Sequence, residues 1–280
     1  MTTVSLKLLR VGACRHLECM AARGGRWSPV EFPALCGLIR HPTRGWMLYD
    51  TGYAEHFMAA TATFPERLYR DALPVNLPAA EVLITQLAGF GLTPADIGTV
   101  IVSHYHGDHI AGLRDIPNAR FIALRADTEH FAALAGKRWR ATLGGHLPNL
   151  LPPDYFDRLD NADACLQHPL PDWLAPFVTG LDLLGDGSLL GVPLPGHSYG
   201  QLGLFIPDAD GRPAFLVADA CWSLPALREG RLPLALFINA DRKGFVRTFD
   251  GLAGIARRET AVALLPSHCT AAWEEFNSDS

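Results

Sequence analysis

The chain has 280 residues, is 49% hydrophobic and carries 29 acidic against 24 basic side chains, a formal charge of −5. That length can bury a large core, and the acidic balance leaves no electrostatic footprint for nucleic acid or an anionic membrane, so a small-molecule partner is expected. No basic segment followed by an apolar core opens the chain and no uninterrupted run of about 18 apolar residues occurs, so a soluble cytoplasmic protein is expected.

The N-terminal third reads as strands, "VSLKLLRV", "ALCGLIRH" and "GWMLYDTGY", the last two separated by turn residues Pro42 to Gly45. Between the first two lies a long loop, Gly12 to Pro33, with Cys19, Met20, Trp27 and Phe32 as candidate pocket residues. The segment "CRHLEC" lacks a second C-x-x-C or a paired histidine, so Cys14, His16 and Cys19 read as packing, and all six cysteines read as reduced thiols. Val82, Leu83, Leu87 and Phe90 recur at helical spacing, Thr93-Pro94 signals another helix start, and "TVIVS" reads as a buried strand.

After a histidine-rich segment come a strand, "ARFIAL", and a helix, "RADTEHFAAL". The stretch from about 136 to 176 is too long and irregular for an ordinary connection. It reads as a lid or substrate wall carrying Trp139, Tyr155, Phe156 and Trp173, or as a contact that joins two subunits in a homodimer. The basic run Lys137 to Arg140 beside it suits a solvated surface or a substrate anion. A second series follows: strands "TGLDLL", "SLLGVPL", "QLGLFI" and "AFLVAD", the amphipathic helix "GFVRTFDGLAGIARR", and the strand "AVALLP". Strands and helices recur in similar order in both halves, which predicts an α/β architecture of two facing β-sheets with helices outside, in one domain over 1–280.

Every residue with metal-binding chemistry in this pattern follows an apolar β-run. "TVIVS" leads into "HYHGDH", holding His104, His106, Asp108 and His109; "LLGVPLPG" leads into His197, "AFLVA" into Asp219 and "AVALLPS" into His268. Strand ends place side chains rigidly while the following loops leave access. Neutral imidazole and carboxylate suit zinc or a similar divalent ion, and seven donors exceed one tetrahedral shell, so two ions are expected. On an extended segment His104 and His106 point the same way and can grip one ion, while Asp108 and His109 turn toward the second.

The motif H-x-H-x-D-H at 104–109, with "PGHS", "VADA" and "PSHC" around His197, Asp219 and His268, resembles the metallo-β-lactamase superfamily, as does "YDTG" at 49–52. The resemblance implies an αββα sandwich, with one ion held by His104, His106 and His197, another by Asp108, His109 and His268, and Asp219 bridging. It also implies a hydroxide shared by both ions that attacks a carbonyl, with Asp108 and Asp219 handling charge and the proton. The other histidines, His16, His41, His56, His130, His146 and His168, match no family position and read as structural or surface residues.

Within the superfamily the N-terminal layout is most similar to the N-acyl homoserine lactone lactonases, which implies an ester or lactone substrate with an apolar tail. Those enzymes place a tyrosine three residues after the bridging aspartate, where this chain has Trp222; Tyr199 is a second candidate for a substrate-facing hydroxyl. A glyoxalase II-like thioesterase is the nearest hydrolytic alternative. A persulfide dioxygenase-like enzyme with one iron is the alternative from another class, and a catalytically silent binding member is disfavoured because all seven donor positions are filled.

Overall fold

The computed structural model describes residues 2–258 and 261–278. Its strands are β1 (Ser5–Leu17), β2 (Pro29–His41), β3 (Gly45–Tyr49), β4 (Val75–Asn76), β5 (Ile97–Ile101), β6 (Arg120–Ala123), β7 (Leu159–Asn161), β8 (Gln167–Pro169), β9 (Thr179–Asp182), β10 (Leu190–Pro193), β11 (Leu202–Ala209), β12 (Arg212–Ala218) and β13 (Ala263–Pro266). They form a seven-stranded sheet, ordered β4-β1-β2-β3-β5-β6-β7, and a six-stranded sheet, ordered β13-β12-β11-β10-β9-β8. Pairing is parallel from β3 through β5, β6 and β7 and between β12 and β13, and antiparallel elsewhere.

Alternation along the strands shows how the layers close. In β3, Met47 and Tyr49 face the space between the sheets while Leu48 faces outward; in β12, Ala214 and Leu216 face inward while Phe215 and Val217 face outward. Both faces are therefore buried, which explains why these strands read as continuous apolar runs. The outer face of the first sheet is covered by Phe57, Leu83, Leu87 and Ile110 from short helices. The outer face of the second is covered by helix Arg242–Arg258, through Phe245, Phe249, Leu252 and Ile255. The result is the αββα sandwich expected from the sequence.

One reading needs correction, and a second segment gains detail. The expected loop from Gly12 to Pro33 is mostly a hairpin, because pairing of β1 with β2 resumes past a bulge between Arg10 and Ala13 and continues to Leu17 and Pro29. The stretch 136–176 is likewise built into the fold, giving β7 to the edge of one sheet and β8 to the edge of the other. Strands of three residues leave no periodic signal in a sequence. No helix among the described residues is long and apolar enough to cross a membrane.

Candidate metal centre

The seven expected donors come together at the ends of β5, β10, β12 and β13. His104 and His106 follow β5, and Asp108 and His109 lie on the single helical turn Gly107–Ile110 that comes next. His104 Nε2 and His197 Nε2 each lie 3.0 Å from His106 Nδ1. Asp219 stands in the middle: Oδ1 is 3.3 Å from His109 Nε2, and Oδ2 is 3.4 Å from His197 Nε2 and 3.2 Å from His268 Nε2. Asp108 Oδ2 is 3.4 Å from His268 Nε2. The donors thus fall into the sets His104–His106–His197 and Asp108–His109–His268, with a third close set, His104–His109–Asp219, joining them.

Partners behind the imidazoles decide which nitrogen each presents. Asp50 Oδ2 accepts from His109 Nδ1 at 2.8 Å, the Pro33 carbonyl from His268 Nδ1 at 2.7 Å, and Asn239 Oδ1 from His197 Nδ1 at 3.0 Å. The Ser103 hydroxyl donates its one proton to Asp50, 2.7 Å away, so toward His104 Nδ1, 3.0 Å away, it can only accept. In its neutral form each of the four rings therefore carries its proton outside and turns a bare Nε2 inward. Asp50 (φ +60°) and Ala218 (φ +47°), which precedes Asp219, both sit in left-handed backbone, at about 1–2 kcal/mol each. Two motif glycines have steric causes: a Cβ on Gly52 would lie 2.4 Å from Val11 Cβ, and one on Gly196 would lie 2.1 Å from the Phe245 amide nitrogen.

This donor set fits two divalent ions. His104 Nε2 and His197 Nε2 each stand 3.0 Å from His106 Nδ1, a spacing close to the edge of roughly 3.3 Å in a tetrahedron with 2.0–2.1 Å bonds. His109 Nε2 and Asp219 Oδ1 are buried with no hydrogen-bond partner, a costly state that a cation resolves. Burial, aided by the neighbouring imidazoles, holds His104 and His106 well below the usual histidine range, and burial lowers His197 also, which keeps them neutral and ligand-ready. Burial opposes charge on His109 and His268 too, but Asp219, with Asp108, outweighs it and pushes both up. Burial would raise Asp219, but His268, His109 and His197 hold it well below the usual carboxylate range.

The family model of the metallo-β-lactamase superfamily matches residues 29–211. The chain belongs to the metallo-β-lactamase superfamily. Among curated superfamily relatives, the N-acyl homoserine lactonase AttM of Azorhizobium caulinodans is 28% identical over 280 residues, spanning 99% of this chain and 97% of the relative. The N-acyl homoserine lactonase AiiB of Agrobacterium fabrum is 31% identical over 249 residues, spanning 84% of this chain and 79% of the relative. An N-acyl homoserine lactone hydrolase solved with the product N-hexanoyl-L-homoserine at its catalytic metal centre shares the fold, with a TM-score of 0.72 at 18% identity over 99% of this chain and 97% of that one.

In this superfamily member five of the seven donors, His106, Asp108, His197, Asp219 and His268, line a cavity of about 410 Å³, and His104 and His109 lie behind them. Met20, Phe32 and Trp222 line it, as expected, together with Leu73, Leu143 and Phe237. The Trp222 indole does not offer its N–H to the cavity, because it donates to Asp219 Oδ2 at 2.9 Å. Other expectations fail because the side chains face elsewhere. Trp139 is 54% exposed and packs edge-on against Phe64, and Tyr199 is 52% exposed and lies on the His130 ring. Tyr155 is buried against Tyr105, Trp173 packs on Phe205, and Cys19 is buried away from the cavity. Trp27 and Phe156 are exposed and do not line it. Arg138 of the basic run is paired with Glu66.

Sequence reasoning missed several residues. Asp50, Ser103 and Asn239 orient ligands; Asp50 lay in the quoted motif "YDTG" without a role assigned to it, Ser103 stood next to His104, and Asn239 carried no hint. The Tyr69 hydroxyl donates to Asp108 Oδ1 at 3.2 Å from the cavity wall. His16, read as structural or surface, lines the cavity.

Proposed function

We propose that the chain is a dinuclear, zinc-dependent hydrolase that opens a lactone or cleaves a carboxylic ester of a small, partly apolar substrate. The observation that carries this reading is the pair of adjoining donor sets, joined by Asp219, at the floor of an otherwise apolar cavity. Relatives matched over nearly the whole chain are N-acyl homoserine lactonases, which supports a lactone.

His104, His106 and His197 would hold one ion and Asp108, His109 and His268 the other, with Asp219 shared. Two bound divalent ions supply an acidified water near neutral pH and polarise a carbonyl oxygen. The chain's part is positional. Asp50, Ser103, Asn239 and the Pro33 carbonyl fix the imidazole tautomers, and Trp222 holds the Asp219 carboxylate. Asp108 keeps Oδ2 toward His268 while Tyr69 engages Oδ1, so this carboxylate borders the cavity and is placed to receive the water's proton and pass it to the departing alkoxide. Apolar side chains on the wall exclude water from the substrate tail. Thr142 to Gly145, from the 136–176 stretch, complete that wall, and we read the stretch as a fixed part of a single domain rather than a closing lid.

The test is metal content by elemental mass spectrometry on protein purified without chelator, with a pH-indicator assay over lactones, esters and thioesters. The expected result is about two zinc ions per chain and acid release on a lactone. A single iron with oxygen consumption and no acid release would replace this reading with the dioxygenase.

A further inference from the structure

The cavity wall has four polar side chains with N–H or O–H groups outside the donor sets, and three of them are committed. Tyr69 donates to Asp108, Trp222 to Asp219, and Thr142 to the Arg138 carbonyl. The Cys14 thiol is held protonated, since burial pushes it up to about 12. His16 is different: its Nδ1 is sealed from solvent with no partner, and its ring makes no hydrogen bond among the described residues. A proton on the sealed nitrogen would be stranded, so the neutral ring carries it on Nε2, the other nitrogen of a side chain that lines the cavity.

We propose that His16 is the hydrogen-bond donor that sets substrate specificity, selecting lactones or esters that carry a second carbonyl acceptor, such as an amide, a few bonds from the scissile one. The inference rests on the hydrolase reading and adds which part of the substrate the wall recognises. Its position supports it. Cys14 and His16 alternate on β1 and so share a face, and Cys14 lies near enough to Asp108 to feel its charge. Two strand residues advance about 6.8 Å, which sets His16 back from the metal end by the length of a short linker rather than over the reacting carbonyl. Phe32 pairs across from Cys14 and Val30 across from His16, and Met20 follows from the next turn. A donor among such neighbours bonds more strongly than one in water and rejects a chain that leaves it unpaired.

The experiment compares wild type, His16→Leu and His16→Gln on an N-acyl homoserine lactone and on an alkyl γ-lactone of the same length, which lacks the amide. Glutamine places an amide nitrogen near the position of Nε2. Leucine should lower kcat/KM for the amide-bearing lactone about tenfold, mostly through KM, and change the alkyl lactone less than twofold, while glutamine restores most of the loss. Calorimetric binding of the ring-opened N-acyl homoserine, against a fatty acid of equal length, gives a readout that needs no turnover. A tenfold selective weakening there by leucine supports His16 even if neither lactone is hydrolysed, a result that would instead overturn the hydrolase reading. Equal losses on both ligands, or none on either, would overturn the proposal. If the leucine variant does not fold, His16→Ala takes its place in the same comparison: a selective loss on the amide-bearing ligand that glutamine restores supports the donor, and no selective loss overturns it.

Discussion

Replacing Asp50 by asparagine changes one atom of a fully buried side chain and should disable a ligand it never replaces. Asp50 Oδ1 accepts from the Ser103 amide at 2.8 Å, and Oδ2 accepts from the Ser103 hydroxyl at 2.7 Å and from His109 Nδ1 at 2.8 Å. An asparagine must keep its single oxygen on the Ser103 amide, so its NH₂ group faces His109. Two donors then meet, and the imidazole relieves the clash only by moving its proton to Nε2, the nitrogen that would bind the metal. Partners in this position are worth 10–100-fold in metal affinity, or about 1.4–2.7 kcal/mol. The assay is chelator competition on Asp50→Asn with metal content measured at each step. The expected result is that one of two ions is lost at 10–100-fold lower chelator strength, with the far-UV spectrum of the metal-free protein unchanged. Two ions held as tightly as in wild type would refute the tautomer argument.

Two further substitutions probe neighbouring features. Trp222→Phe keeps the ring on the cavity wall and removes only the 2.9 Å hydrogen bond to Asp219; metal affinity and kcat should fall about tenfold, and unchanged values would mean that the bond does not orient the carboxylate. Burial pushes Asp127 up from the ordinary 3.8 to about 6, only partly offset by the Ser198 hydroxyl and by the amides of Gly200, Tyr105 and Tyr199. The native state then binds this proton more tightly than the unfolded chain, so stability falls as pH rises from about 4 to 6 and stays lower by about 3 kcal/mol above that range. Asp127→Asn should therefore raise the urea midpoint at pH 8 and lose its advantage below pH 4; equal midpoints at pH 8 would contradict a buried, ionised Asp127.

The α/β sandwich was legible because each long strand is buried on both faces and carries an unbroken apolar run, as in β12 from Phe215 to Val217. The donor set was legible because imidazoles and carboxylates cluster only where a strand ends, and the run from His104 to His109 has no ordinary structural reason to be so dense. The short strands β7 and β8 were not legible, since their identity comes from the sheet edges they complete rather than from any pattern of their own.

Residue type and local order thus determined what the chain can bind and where its strands stop. Which side chains face the cavity was decided only in three dimensions. Trp139 and Tyr199 have the chemistry of pocket residues, yet they pack on Phe64 and His130; His16, an ordinary lone histidine in the sequence, stands in the cavity wall. Asp50 and Asn239 orient rings 59 and 42 residues away. Such roles arise because one side chain's hydrogen-bond partner fixes another's proton, and that pairing exists only after the sheets have brought distant strand ends together.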